Sequence, residues 1–283
     1  MSVRPVGPGA TLTPPMLRRA HLPLLGKVFT DSWRSMIGWS LGLVAVTALY
    51  LPIYPSMGGS SQMQDLIDTL PTELTRSLNY DQIGTGAGYT QATIFGLIGF
   101  LLLGIAAIGW GASALGGDEE SGRLELTLAH GVTRVQVAVS RFTAMAIRIL
   151  VLSGLTCALV LFWNEPATLD LEVGNVIGMG LLFAGLILLI GSVALLAGAL
   201  TGRRVWGIGG GAFVAVVGYV FNAIGNQSSS LDWLHTFSPY YWVFGHSPLA
   251  TGADPVTVIA FYGLSLLLAV ATALALRQRD IGV

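Results

Sequence analysis

The chain has 283 residues, 53% of them hydrophobic and only 10% charged, and its mean hydropathy is +0.70. A soluble domain carries about 25% charged residues, so these values exclude that class and point to a membrane protein. The net charge of −1 gives no reason to expect a nucleic-acid partner, and a single cysteine, Cys157, excludes an intrachain disulfide.

Residues 1–13 are rich in Pro and Gly and carry no periodic pattern. Residues 14–35, PPMLRRAHLPLLGKVFTDSWRS, interleave basic and apolar side chains. This predicts an amphipathic helix on the inner membrane surface, broken or kinked at Pro23. Six apolar runs follow, at 36–54, 92–115, 142–163, 173–200, 205–224 and 256–276. Each is close to the ~20 residues that cross a bilayer core as helix. The first has a long Pro-rich flank and no small-residue cleavage site, so it reads as a retained span. The fourth, with 28 residues, is longer than the hydrocarbon requires and must tilt or project. Between the first two runs, QMQDLIDTLPTELTRSLN places Met63, Leu66, Ile67, Leu70, Leu74 and Leu78 on one face. It predicts an outer surface helix interrupted at Pro71, serving as a seal or a gate.

Orientation follows from the basic residues. With the N-terminus inside, Arg4, Arg18, Arg19, Lys27, Arg34, Arg123, Arg134, Arg141, Arg148, Arg203, Arg204, Arg277 and Arg279 all lie on the inner side, and only Arg76 lies outside. The expected topology is therefore N-in and C-in. It puts the charged segment GGDEESGRLELTLAHGV, residues 116–132, in the cytoplasm between spans two and three.

That segment predicts a short helix over about 118–131. Asp118, Glu119 and Glu120 suit the positive end of a first turn, and Gly131 suits a C-terminal stop. Glu119 and Arg123 are spaced i, i+4, and Leu124 and Leu128 share a face. The alternation over 123–128 also fits a strand, but no partner strands are in sight. Downstream, Arg134, Arg141 and Arg148 recur every seven residues along one stripe of the third span. The stripe reads as a polar cavity face, or as a cytoplasmic helix extension from which Arg148 snorkels to the interface. The last outer loop concentrates Trp233, Phe237, Tyr240, Tyr241, Trp242 and Phe244, which reads as an interfacial belt or an outer gate. GxxxG spacings at Gly38/Gly42, Gly174/Gly178 and Gly207/Gly211 permit close helix contact without assigning a dimer face.

None of the six runs contains Asp or Glu, which weighs against an ion-gradient-driven secondary carrier. HExxH, CxxC, GxSxG and phosphate-loop motifs are missing, and the histidines do not cluster, so no metal, bound cofactor or catalytic residue is expected. Ser113 and Ser153 lie in or near spans but have no histidine at matched depth, which leaves a six-span intramembrane enzyme as a minor alternative. Active transport would have to draw its energy from another protein.

The run GGDEESGRLELTLAHGVTRVQVAVSRF resembles the EE-x-G-x-L-x-x-L-L…P-x-x-R segment of ABC-2 type permeases, the type V exporter fold. WRSMIGWSLGL leading to YLPIYPS resembles their first span and its exit, and LPTELTRSL their first outer helix. The resemblance is strongest to polyketide-antibiotic and multidrug exporters and covers essentially the whole chain. His130, Gly131 and Val132 stand where many relatives carry a small residue and proline. The resemblance implies that the charged segment is a coupling helix, with Glu119, Glu120, Gly122, Arg123, Leu124 and Leu128 at the contact with an ATP-binding subunit. It implies that 14–35 is an elbow helix and that the aromatic loop forms re-entrant helices closing the outer end. Two ATP-binding subunits, which hold ATP and Mg, and a second identical or homologous permease would complete a plasma-membrane efflux assembly. Its cargo would be apolar or amphipathic, and its surroundings membrane lipid.

Overall fold

A computed structural model describes residues 21–56 and 84–279, with side chains from residue 33 onward. The outer helix expected across Met63, Leu66, Ile67, Leu70, Leu74 and Leu78, its break at Pro71, and segment 1–13 lie outside the described residues. So do Arg4, Arg18, Arg19 and Arg76.

Among the described residues every regular element is helical. In chain order these are α1 (His21–Tyr50), α2 (Ile53–Ser56), α3 (Gly86–Thr90), a π-helical segment (Gln91–Gly99), α4 (Phe100–Ala112) and a second π-helical segment (Ser113–Gly117). They continue with α5 (Asp118–Glu120), α6 (Arg123–Ala129), α7 (Arg134–Asn164), α8 (Val173–Thr201) and α9 (Arg204–Gly225). A 3₁₀ helix (Ser229–Phe237), α10 (Pro239–Phe244), α11 (Pro248–Thr251) and α12 (Pro255–Gln278) complete the chain.

Six segments are long and apolar enough to cross a membrane: Trp33–Ser56, Gly86–Glu120, Arg134–Asn164, Val173–Thr201, Arg204–Gly225 and Pro255–Gln278. They coincide with the six expected runs, and the protein is an all-α, multi-pass membrane protein. The helices outrun the apolar stretches because their ends are capped by side chains. Thr133 and Gln136 form a reciprocal capping box that starts α7 before its apolar run begins. Asp254 caps α12, with Pro255 at its first position. Residues 21–35 belong to the same continuous helix as the first span, not to a separate surface helix. α1 runs on through Pro23.

α8 is the axis of the bundle and packs against α4, α7, α9 and α12. Burial reaches 83% of its most apolar window, against 17% for the first and last spans and 22% for the fifth. This matches its sequence, which is apolar all round and has no polar face to present. The outer spans turn Leu41, Phe213, Val216, Ile259 and Leu267 outward, as lipid-facing positions should be. Close packing depends on small residues. A side chain at Gly111 of α4 would strike the Gly191 carbonyl of α8. At Gly207 and Gly211 of α9 a Cβ would meet Ala112, Ile108 and Ala194 at 2.8–3.0 Å, whereas Gly38 and Gly42 face open space.

The two ends of the bundle differ in charge. One carries Arg34, Arg123, Arg134, Arg141, Arg203, Arg204, Arg277 and Arg279. The other, among the described residues, carries Glu165, Asp170, Glu172, Asp232 and Asp254 and neither Lys nor Arg.

Gly111→Val should destabilise the detergent-solubilised protein by about 1–3 kcal/mol, because the α4–α8 contact has no room for it. Gly104→Ala, whose Cβ would meet nothing within 4 Å, should leave the melting temperature unchanged. Equal melting temperatures for the two variants would show that this contact does not set stability.

Candidate functional site

At the basic end the chain makes a compact hairpin between α4 and α7. The expected single helix over 118–131 is split into α5 and α6 by Gly122, whose φ of +70° is left-handed. Gly131, at φ +79°, follows the end of α6 and donates its N–H to the Leu128 carbonyl (3.1 Å). The expected i, i+4 pair of Glu119 with Arg123 does not form, because Gly122 breaks the helix between them. Arg123 Nε turns back to Ser121 Oγ (2.9 Å) and to Asp118 (3.3 Å).

The acidic triplet bonds back to the bundle, each residue to a different partner. Asp118, buried, accepts from Arg141 Nη2 of α7 at 2.6 Å. Glu119 takes both terminal nitrogens of Arg279, Nη2 at 2.5 Å and Nη1 at 3.2 Å. Glu120 accepts the backbone N–H of Arg204 (3.1 Å), the first residue of α9, and so caps a helix that lacks a side-chain cap of its own. Arg279 also donates to the Ala199 carbonyl (2.8 Å), and Arg134 Nη1 donates to the carbonyls of Arg279 (2.6 Å) and Leu276 (3.2 Å).

α6 has two faces. Leu124 is buried and Leu128 packs against the core. The opposite face presents Glu125, Leu126, Ala129 and His130, flanked by Arg123, and Leu126 is 65% exposed. Leu126, half a turn from Leu124 and Leu128, falls on this outward face. The partner of Glu119 had no such signal, since Arg279 lies 160 positions away.

The arginine stripe of α7 faces the bundle throughout. Arg148 is only 7% exposed, and its guanidinium lies 5.4 Å from the centre of the Trp110 ring. It is turned inward, with the indole face as one of its neighbours.

At the opposite end the six aromatics divide. Tyr240 and Phe244 are buried, and Tyr240 donates its hydroxyl to the Gly96 carbonyl (2.9 Å) inside the first π-helical segment. A Cβ at Gly96 would meet that hydroxyl at 2.9 Å, so glycine lets the two approach. Gln91 in the same segment donates to the Phe244 carbonyl (3.2 Å) and accepts from Leu249 N–H (3.4 Å). Tyr241 stacks on His235 at 3.7 Å, and Trp242 lies half-buried against Phe261. Trp233 and Phe237 are exposed, as an interfacial anchor would be. Beside α10 a cleft of about 290 Å³ is lined by residues including Leu182, Trp242, His246, Thr251 and Asp254. The Thr257 hydroxyl, followed by the Val256 and Thr257 amides, holds the Asp254 carboxyl below the usual carboxylate range.

Compared with known proteins, residues 22–280 match the family model described as ABC-2 family transporter protein. No curated protein and no solved structure gives a match.

Asp118→Asn should cost about 1–2 kcal/mol of stability, discounted from the 3–5 kcal/mol of a fully buried broken pair because Arg141 is partly exposed. Glu125→Gln, on the exposed face, should change it by less than about 0.5 kcal/mol. Thermal unfolding in detergent distinguishes the two, and an unperturbed Asp118→Asn would remove the pair from the forces holding the hairpin.

Proposed function

Because the chain belongs to the ABC-2 transporter family, we propose that it is the membrane-spanning subunit of an ATP-driven exporter of apolar or amphipathic compounds. The observation that carries this reading is the hairpin at the basic end. It is held inward by three carboxylates and offers outward a small mixed face of Arg123, Glu125, Leu126, Ala129 and His130. A subunit with no phosphate loop needs such a handle to be moved by a separate ATP-binding protein. The basic end is cytoplasmic, since Lys and Arg concentrate on the inner side of a membrane. ATP and Mg bind to the partner. Two ATP-binding subunits and a second permease, identical or homologous, complete the assembly in the plasma membrane.

The docking contact is then made by the outward face of α6, with Gly122 and Gly131 setting its angle. Glu119, Glu120, Leu124 and Leu128 support that face from behind. The opposite end is extracellular, where Tyr240 and Phe244 seal against α4 and the first π-helical segment and serve as the outer gate. The cargo is apolar or amphipathic because the spans offer it no carboxylate to bind. Arg141 and Arg148 are occupied with Asp118 and Trp110 rather than lining an open path. The intramembrane-enzyme alternative loses support, because Ser153 spends its hydroxyl on the Gly180 carbonyl (2.8 Å), a helix–helix bond.

Co-expression with an ATP-binding protein encoded beside this chain should give a stable complex with ATPase activity in lipid. Leu126→Asp should weaken that complex at least ten-fold while the permease remains folded, and an unaltered affinity would move the docking contact elsewhere. In a Cys157→Ala background, Ser229→Cys should react with a membrane-impermeant maleimide in intact cells and Ala129→Cys should not. The reverse pattern would invert the topology.

A further inference from the structure

We propose that Glu119 and Glu120 are not docking residues but a joint inside the permease, which carries movement of the hairpin to the last two spans. The inference rests on the docking role of the hairpin and deepens it.

The hairpin could have been tethered by the covalent chain alone, moving only α4 and α7. Instead its acidic turn is bonded to helices far along the sequence. Glu119 clamps the Arg279 guanidinium through both oxygens, just past the end of α12. The planar fork of arginine makes such a two-bond contact stiff in direction, unlike a point charge. The same guanidinium holds the Ala199 carbonyl in the last turn of α8, and the Arg279 and Leu276 carbonyls are held by Arg134 in the first turn of α7. Glu120 engages the N-terminus of α9 through the Arg204 amide. Gly116 lies against the Arg203–Arg204 backbone, where a Cβ would approach within 2.8–3.0 Å. Segment 116–120 thus holds the basic ends of α7, α8, α9 and α12 together. A displacement applied to the outward face of α6 is delivered to all four, and these two carboxylates are the hairpin's side-chain bonds to the ends of α9 and α12.

Both carboxylates are unsuited to a partner contact. The Glu119 side chain is 12% exposed, and both its oxygens are engaged with Arg279. Glu120 is more exposed, but one oxygen is committed to the Arg204 amide.

The test uses the permease complexed with its ATP-binding partner in lipid. It reads hydrogen exchange at the far end of α12, the amides of Val256, Thr257 and Val258, with and without ATP plus vanadate. In the parent complex nucleotide should alter exchange there. Glu119→Gln with Glu120→Gln should reduce that change by more than half, while the affinity of the complex stays within two-fold and ATPase activity persists. A full exchange response in the double variant, or a ten-fold loss of complex affinity with the permease folded, would overturn the proposal. If the double variant does not fold, Glu119→Cys with Arg279→Cys in the Cys157→Ala background replaces it. Bridging the two thiols with a short bifunctional reagent should restore the response that the unbridged form lacks, and a bridged form without a response would also overturn the joint. A parent permease that binds no ATP-binding protein would overturn the docking reading and the joint together. Docking without the expected effect of the variants would overturn the joint alone.

Discussion

A bilayer core offers no hydrogen bonds and no counter-charges, and that constraint shapes the whole protein. Backbone groups must be satisfied within helices, and six helical segments among the described residues are long and apolar enough to cross. Charges must collect where water begins, so ionic contacts between helices are available only at the ends. What remains in the middle is packing, and it is achieved with glycine and alanine seams around an axis helix that is apolar on every side. Arg148 tests the rule from the other direction. Its guanidinium is buried within the bundle and lies beside an indole face.

The same constraint divides labour along the membrane normal. The middle of the bundle fixes which helices touch, and the basic end bonds their termini to one another. The acidic end does a third job with a different chemistry. There Tyr240, Phe244 and Gln91 knit short helices onto a stretch of π-helix whose widened geometry and glycine leave room for a hydroxyl. One end is therefore built from charge and the other from aromatic rings and amide groups.

The six spans were legible because a run of about twenty apolar residues has few other uses. The hairpin was legible as a helical segment because acids before it and a glycine after it are local signals. Side-chain partners were not. Glu119 has an arginine four residues ahead, which local rules prefer, yet its actual partner closes a loop through most of the chain. Gly122 decides the matter by breaking the helix that the local pair would need, and no window of a few residues weighs that break against a contact made by the C-terminal end. Pro23 was read as an interruption of the elbow segment, yet α1 runs on through it into the first span.

Gly202 sits where the Glu119–Arg279 pair and the end of α8 converge. Its φ of +68° is left-handed, and a Cβ there would fall on the carboxylate at 2.5 Å and against the guanidinium. Glutamate, glycine and arginine at these three positions are therefore packed as one unit. A change at Gly202 evicts the ion pair, and loss of either charge leaves the other stranded beside a backbone bend shaped to receive it.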